Sequence, residues 1–276
     1  MTVQTALLQG TQLLQEGAIS APRLTAEVLL AHALHRERVY LYAHPEDELT
    51  EVAWIHYGRY LHERLKGKPT QYITGRQEFY GRDFRVTPDV LIPRPETEHL
   101  IQASVSRIQP GDIVLDVGTG SGAIAITLAL ETKARVLASD VSTNALCVAA
   151  ANARRLSAPV SFFACDLVDA IADHSIDVLI SNPPYVPKAD HPGLQREVRD
   201  YEPHVALFAG PTGLEIYQRL MSDAPRVLRP GGWLLVELGY NSLEPVRAML
   251  QSGWSDIAVE HDLAGLPRVL AARLLA

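Results

Sequence analysis

From about residue 111 onward the sequence predicts an α/β fold, a doubly wound, mostly parallel seven-stranded sheet with helices on both faces. A small N-terminal helical bundle and a β-hairpin linker are expected before it. Three observations carry this expectation. Short apolar runs alternate with helical stretches, the pattern of repeated β-α units. A glycine-rich turn, Asp116-Val117-Gly118-Thr119-Gly120-Ser121-Gly122, joins the first of those strands to a helix. Further on, Ser181-Asn182-Pro183-Pro184-Tyr185 stops a strand abruptly, because neither proline donates a ladder hydrogen bond and both fix φ.

The division expected along the chain is residues 1–70 helical, 71–95 hairpin linker and 96–276 the sheet domain. Ser20, with Pro22 just inside, is placed to start a helix in which Leu24, Val28, Leu29, Ala31 and Leu34 recur at helical spacing. Thr50 is a similar start for a helix through Trp54, Tyr57, Leu61 and Leu65 that closes near Gly67 and Pro69. His32 and His35 have helical spacing for a metal pair but no obvious third ligand, so they are assigned a structural role. Gln71 to Gly75 and Phe79 to Val86 alternate aromatic and β-branched residues with turn formers, and predict the hairpin. Leu91 to Glu98 carries two prolines that set a stiff extended lead into a helix from about 95 to 107.

Strands are then predicted over 113–117, 135–139, 160–164, 178–180, 233–238, 256–261 and 267–274. Helices are predicted over 122–131, 143–155, 213–228 and 242–252. At 276 residues, 47% hydrophobic and 21% charged, the chain has the composition of a soluble globular protein with a substantial core. No apolar run reaches the length of about 20 residues that a membrane helix needs. The N-terminus lacks the basic start and apolar core of a secretory signal, so a cytoplasmic protein is expected. Cys147 and Cys165 show no metal or redox spacing and are expected to be buried, reduced thiols. A formal net charge of -7 argues against a broad nucleic-acid grip.

Open α/β sheets bind ligands beyond the C-terminal ends of their strands, and three aspartates sit at such ends. The glycine turn follows G-x-G-x-G, with Ala123 where a dinucleotide fingerprint needs its last glycine. Asp116 before the glycines would repel a pyrophosphate but suits a cationic ligand. Asp140 is placed to accept both ribose hydroxyls, and Asp166 to meet an adenine amino group. Each aspartate alone would also pass for a cap or turn residue; three at successive strand ends point to S-adenosylmethionine, with one adenosine and a positive sulfonium.

On the residues of the glycine turn, Asn182-Pro183-Pro184-Tyr185 and Leu91-Ile92-Pro93-Arg94-Pro95-Glu96-Thr97-Glu98, the chain resembles the class I S-adenosylmethionine-dependent methyltransferases. More narrowly it resembles the HemK/PrmC family, which methylates the N5 amide nitrogen of a glutamine in peptide chain release factors. Tyr201-Glu202-Pro203, Ala206-Leu207, Gly210 and Gly213-Leu214 resemble that family's loop after the catalytic motif, so the likeness spans nearly the whole chain. The resemblance implies Asn182 and Pro183 as catalytic residues, and Asn182, Pro183, Pro184 and Tyr185 as binders of the substrate glutamine of the GGQ motif in class I release factors. It implies Asp116, Val117, Gly118, Thr119, Gly120, Asp140, Asp166, Leu167 and Asn182 as the cofactor site, and no metal. Many relatives carry an aromatic residue where Leu167 stands; an aliphatic side chain still covers an adenine face. The helical N-terminal region is similar to the family's release-factor-binding portion. Arg94 and Glu96 are expected to pair with each other.

A carboxamide nitrogen is a poor nucleophile because its lone pair is shared with the carbonyl. The resemblance implies that the Asn182 side chain and the Pro183 carbonyl accept hydrogen bonds from the substrate NH₂. Holding both hydrogens would fix the nitrogen in line with the methyl group. The alternative reading is an adenine-N6 or guanine-N2 nucleic-acid methyltransferase, which would stack a flipped base on Tyr185. The acidic balance and the lack of a basic recognition insert weigh against it.

Overall fold

The computed structural model describes residues 1–276 and divides into two units. The first comprises Met1–Arg76 together with Gln195–Tyr201, the second Gln77–Leu194 together with Glu202–Ala276.

In the first unit, α1 (Val3–Glu16), α2 (Pro22–Leu34), α3 (Arg38–Ala43), α4 (Glu51–Leu65) and α5 (Thr70–Thr74) follow in sequence. Leu14, Leu29, Leu30 and Tyr57 are fully buried among them. Thr50 caps α4, accepting the Ala53 amide at 3.2 Å. Ser20 does not cap α2: Ala21 stands at that position with φ 47°, and Pro22 opens the helix without a side-chain cap. Gln71–Thr74, expected in the hairpin, are helical. Pro69 at the start and Gly75 (φ 72°) at the end punctuate a helical turn there, and those signals outweigh the β propensity of Tyr72, Ile73 and Thr74. Gln195–Tyr201 joins this unit by an Arg64–Glu197 ion pair at 2.5 Å and a Tyr201 hydroxyl donated to the Lys66 carbonyl at 3.2 Å.

The second unit opens from the hairpin β1 (Arg76–Phe79, its first residue counted in the first unit) and β2 (Arg82–Arg85), with Phe79 and Phe84 buried edge-on at 6.0 Å. A 3₁₀ turn (Pro95–Thr97) leads into α6 (Glu98–Val105). Then come β3 (Ile113–Val117), α7 (Ala123–Glu131), β4 (Arg135–Asp140), α8 (Thr143–Leu156), β5 (Val160–Ala164) and β6 (Ile176–Ser181). After β6 the chain forms β7 (Val186–Pro187), α9 (Arg196–Tyr201, counted in the first unit), α10 (His204–Leu207) and β8 (Phe208–Gly210), and β7 pairs with β8. It closes with α11 (Glu215–Val227), β9 (Leu228–Glu237), α12 (Leu243–Ala248), β10 (Trp254–His261) and β11 (Pro267–Leu274).

The seven strands lie in the order β10-β11-β9-β6-β3-β4-β5. Five are parallel, and β10 and β11 join antiparallel. Strand side chains alternate between faces, so residue parity assigns each to a layer. Val114, Val178, Ile180 and Leu235 pack with α6 and α7. Leu115, Leu179, Leu234 and Val236 pack with α11 and α12. In register, Asp116 pairs with Ile180 and Ile180 with Leu235. By the same parity Asp116, Asn182 and Glu237 continue the α6–α7 face at the C-terminal ends of three adjacent strands.

No helix is long and apolar enough to cross a membrane. Cys165 is buried as expected, but Cys147 is exposed. It lies off the α8 stripe of Ala145, Val148, Ala149, Asn152 and Ala153 that faces inward.

Candidate active site

The glycine turn bridges β3 and α7, and its own backbone shapes it. The Gly118 and Thr119 amides both donate to the Ser139 carbonyl at 2.9 Å, which folds the loop back over β4. A Cβ on Gly118 (φ 74°) would meet nothing within 4 Å, whereas one on Gly122 (φ 83°) would lie 2.8 Å from Ile126 Cδ1 and 3.1 Å from Ala149 Cβ. The earlier glycine therefore leaves room beside the loop, and the later one lets α7 approach α8.

Asp116 is wholly buried. Its Oδ2 accepts from the Thr119 hydroxyl at 2.6 Å and the Ala125 amide at 3.2 Å, while its buried Oδ1 has no partner. Burial pushes its carboxyl up to about 7, with those two donors pulling the other way and Asp140 adding a like charge. An unpartnered carboxylate oxygen beside an open glycine turn suits a cationic group. Asp140 ends β4; its Oδ2 accepts the Gly120 amide at 2.9 Å and its Oδ1 the Ser142 amide at 2.8 Å. Each oxygen keeps a second lone pair, so the residue can order the loop and still accept a pair of hydroxyls.

β5 stops at Ala164, and Asp166 lies two residues beyond it, exposed and paired with Arg219 of α11 at 2.9 Å. Leu167 beside it holds φ 48°, a left-handed conformation unusual for a branched side chain.

At the end of β6, Ser181 donates to the Val117 carbonyl at 2.8 Å, tying the strand to the glycine turn. Asn182 follows, half-buried, with Pro183 buried behind it. The Asn182 amide Nδ2 donates to the Thr97 hydroxyl at 3.2 Å. The Tyr185 ring lies against the Gly239 backbone, where a Cβ would approach to 2.6 Å. Burial, with Glu237 nearby, pushes its phenol up to about 12, so it stays protonated.

The sequence assigns no role to two residues of this site: Glu237 lies in no motif, and Glu202 lies in the Tyr201-Glu202-Pro203 stretch without a stated function. Glu237 ends β9 at 3% exposure, with Oε2 unpartnered. Burial pushes its carboxyl up to about 7, while donors from Thr97 and Asn182 and the charge of Arg268 favour its ionised form. Glu202, also 3% exposed, accepts the Ile92 amide at 3.3 Å and the Arg94 guanidinium at 2.5 Å. The expected Arg94–Glu96 pair is therefore replaced by Arg94–Glu202. A buried carboxylate demands a cation more strongly than the exposed Glu96 does. An acid ending an apolar run is the only clue to Glu237, and the Tyr201-Glu202-Pro203 stretch is the clue to Glu202.

Residues 5–75 match the family model for the PrmC N-terminal domain, and residues 97–197 that for the methyltransferase small domain. A release factor glutamine methyltransferase of Koribacter versatilis is 46% identical over 278 residues, covering 99% of each chain. One of Nitratidesulfovibrio vulgaris is 41% identical over 280 residues, covering 99% of this chain and 95% of that one. Among solved structures, a methyltransferase of Pyrococcus furiosus superposes with a TM-score of 0.54 at 19% identity, covering 71% of this chain and 90% of that chain, and supports the fold.

Proposed function

The chain belongs to the release factor glutamine methyltransferase family, and we infer that it transfers a methyl group from S-adenosylmethionine to the N5 nitrogen of the glutamine in the GGQ motif of class I peptide chain release factors. The observation that supports this most is the placing of Asp116 and Asn182 on one face, at the ends of the neighbouring strands β3 and β6. One offers an unpartnered carboxylate oxygen, the other a neutral amide.

When bound, S-adenosylmethionine supplies a methyl group on a positive sulfonium that departs as a neutral thioether. Asp116, Val117, Gly118, Thr119 and Gly120 would hold its cationic end, where the orphaned Oδ1 and the space beside Gly118 fit such a group. Asp140 would take the ribose hydroxyls. Asp166 and Leu167 would border the adenine, with Asp166 shared with Arg219. The Asn182 carbonyl oxygen and the Pro183 carbonyl would accept the two hydrogens of the substrate amide, and Pro184 and Tyr185 would flank its plane. That grip aligns the nitrogen and stabilises the positive charge it gains as the N–C bond forms. The surplus proton then leaves to solvent.

In the same reading residues 1–70 bind the release factor, residues 71–95 link, and residues 96–276 carry the chemistry, in the cytoplasm. Intact-mass measurement of a class I release factor before and after incubation with enzyme and cofactor tests the proposal. One added methyl, lost when the GGQ glutamine is changed to alanine, is expected. Methyl transfer to DNA or RNA run in parallel, with none to the release factor, would refute it.

A further inference from the structure

An asparagine side chain presents two ends of nearly equal shape, one an acceptor and one a double donor. Only the accepting end can hold an NH₂ group, so the reaction needs Asn182 turned one way. What chooses that way is a chain of polar groups behind it. Glu237 lies on β9 next to β6, with Val236 in register with Ser181, so its side chain emerges beside that of Asn182. Thr97 is 4% exposed and accepts from Asn182 Nδ2 at 3.2 Å while acting as a donor to the Glu237 carboxyl, to which the Asn182 amide also donates directly.

We propose that Glu237, acting directly and through Thr97, is a positioning residue that turns the Asn182 amide nitrogen inward and its carbonyl oxygen toward the substrate glutamine. The logic is one of proton counting. An ionised carboxylate can only accept, and a threonine hydroxyl has one proton. Once Thr97 gives that proton to Glu237 it can only accept from its other neighbour, so the end of Asn182 that meets it must be the NH₂. Protonating Glu237 removes the constraint, because the chain can then run in reverse, with Thr97 donating to an inverted Asn182. The inference rests on the reading of Asn182 as the acceptor for the substrate amide.

Other groups also act on this carboxyl. Glu96, beside Thr97, opposes its ionisation, and Arg268 on β11 favours it. Tyr185 and Tyr217 face it as neutral phenols, and the Tyr217 hydroxyl donates to the Glu237 backbone carbonyl at 2.7 Å. With burial holding its midpoint at about 7, Glu237 loses its charge as the pH falls below neutrality. Turnover at saturating cofactor should therefore fall on that side. Titration of Asp116 in the same range acts through cofactor affinity, which saturation removes.

The test compares wild type, Glu237→Gln and Thr97→Val for kcat, for KM toward the release factor and for calorimetric cofactor affinity, across pH 6 to 9. Glu237→Gln is expected to lower kcat by roughly 10-fold, leave cofactor affinity within about threefold, and abolish the acid limb. Thr97→Val should lower kcat similarly with the acid limb weakened, and it stands in if the glutamine variant does not fold. A kcat within about threefold of wild type in the folded variants would overturn the proposal. So would an acid limb that persists in Glu237→Gln. Asn182→Ala run alongside separates the two readings. If it abolishes transfer while Glu237→Gln does not, only the positioning role fails. If Asn182→Ala itself transfers normally, the acceptor reading fails.

Discussion

Asp116→Asn should make the cofactor-free protein more stable at alkaline pH and bind its cofactor worse. Burial lifts the Asp116 carboxyl from the free acid's 3.8 to about 7. Between those values the unfolded chain has released its proton while the folded chain still holds it, so stability falls as the pH rises through that window. The full difference of roughly three pH units corresponds to at most about 4 kcal/mol above pH 7. Asparagine cannot ionise, and its carbonyl oxygen can still accept from the Thr119 hydroxyl and the Ala125 amide. The variant should therefore gain up to several kcal/mol at about pH 8, raising its melting temperature by roughly 2–4 °C per kcal/mol. A bound cation draws the wild-type carboxyl back toward ionisation, so cofactor binding at about pH 6.5 should release a proton. Thermal melts from pH 5 to 8 measure the first effect; calorimetry in buffers of different ionisation enthalpy measures the second. A variant no more stable than wild type at alkaline pH, or wild-type binding without proton release, would refute the burial argument.

Asn182→Ala should nearly abolish methyl transfer in single-turnover assays while cofactor affinity by calorimetry stays within a few-fold. Asp140→Ala should weaken cofactor binding by roughly 2 kcal/mol for a lost charge-assisted bond pair, and amide exchange at Gly120 and Ser142 should quicken because both donate to that carboxylate. Gly122→Ala should unfold at lower denaturant than Gly118→Ala. Both carry the left-handed backbone cost of roughly 1–2 kcal/mol, but only the former also collides with Ile126 and Ala149. Gly118→Ala should instead show its main loss in cofactor affinity.

The parts of this protein legible in the sequence are those whose cause is local. The glycine turn and the proline-stopped strand announce themselves because few residues tolerate those backbones, and the β-α alternation follows from periodicity within short windows. Thr50 caps its helix for the same reason. Ser20 misleads because Pro22 can open a helix unaided, and Gln71–Thr74 because local punctuation outweighed side-chain propensity. Arg94 and Glu202 stand 108 residues apart, and no local window connects them. Glu237 ends the apolar run Trp233-Leu234-Leu235-Val236. A carboxylate there is costly enough to signal a purpose, yet what it serves becomes visible only once β9 lies beside β6.

Because the polar groups that crown three strands depend on odd and even positions, the site has an arithmetic tolerance to evolutionary change. Lengthening the connections between strands leaves the parity of Asp116, Asn182 and Glu237 intact. Inserting one residue within Ile176–Ser181, with the start of the strand held in register, would turn Asn182 toward the α11–α12 layer and out of reach of its partners. Family variation in this region should accordingly collect in the loops, and strand insertions should arrive in pairs or with a compensating bulge.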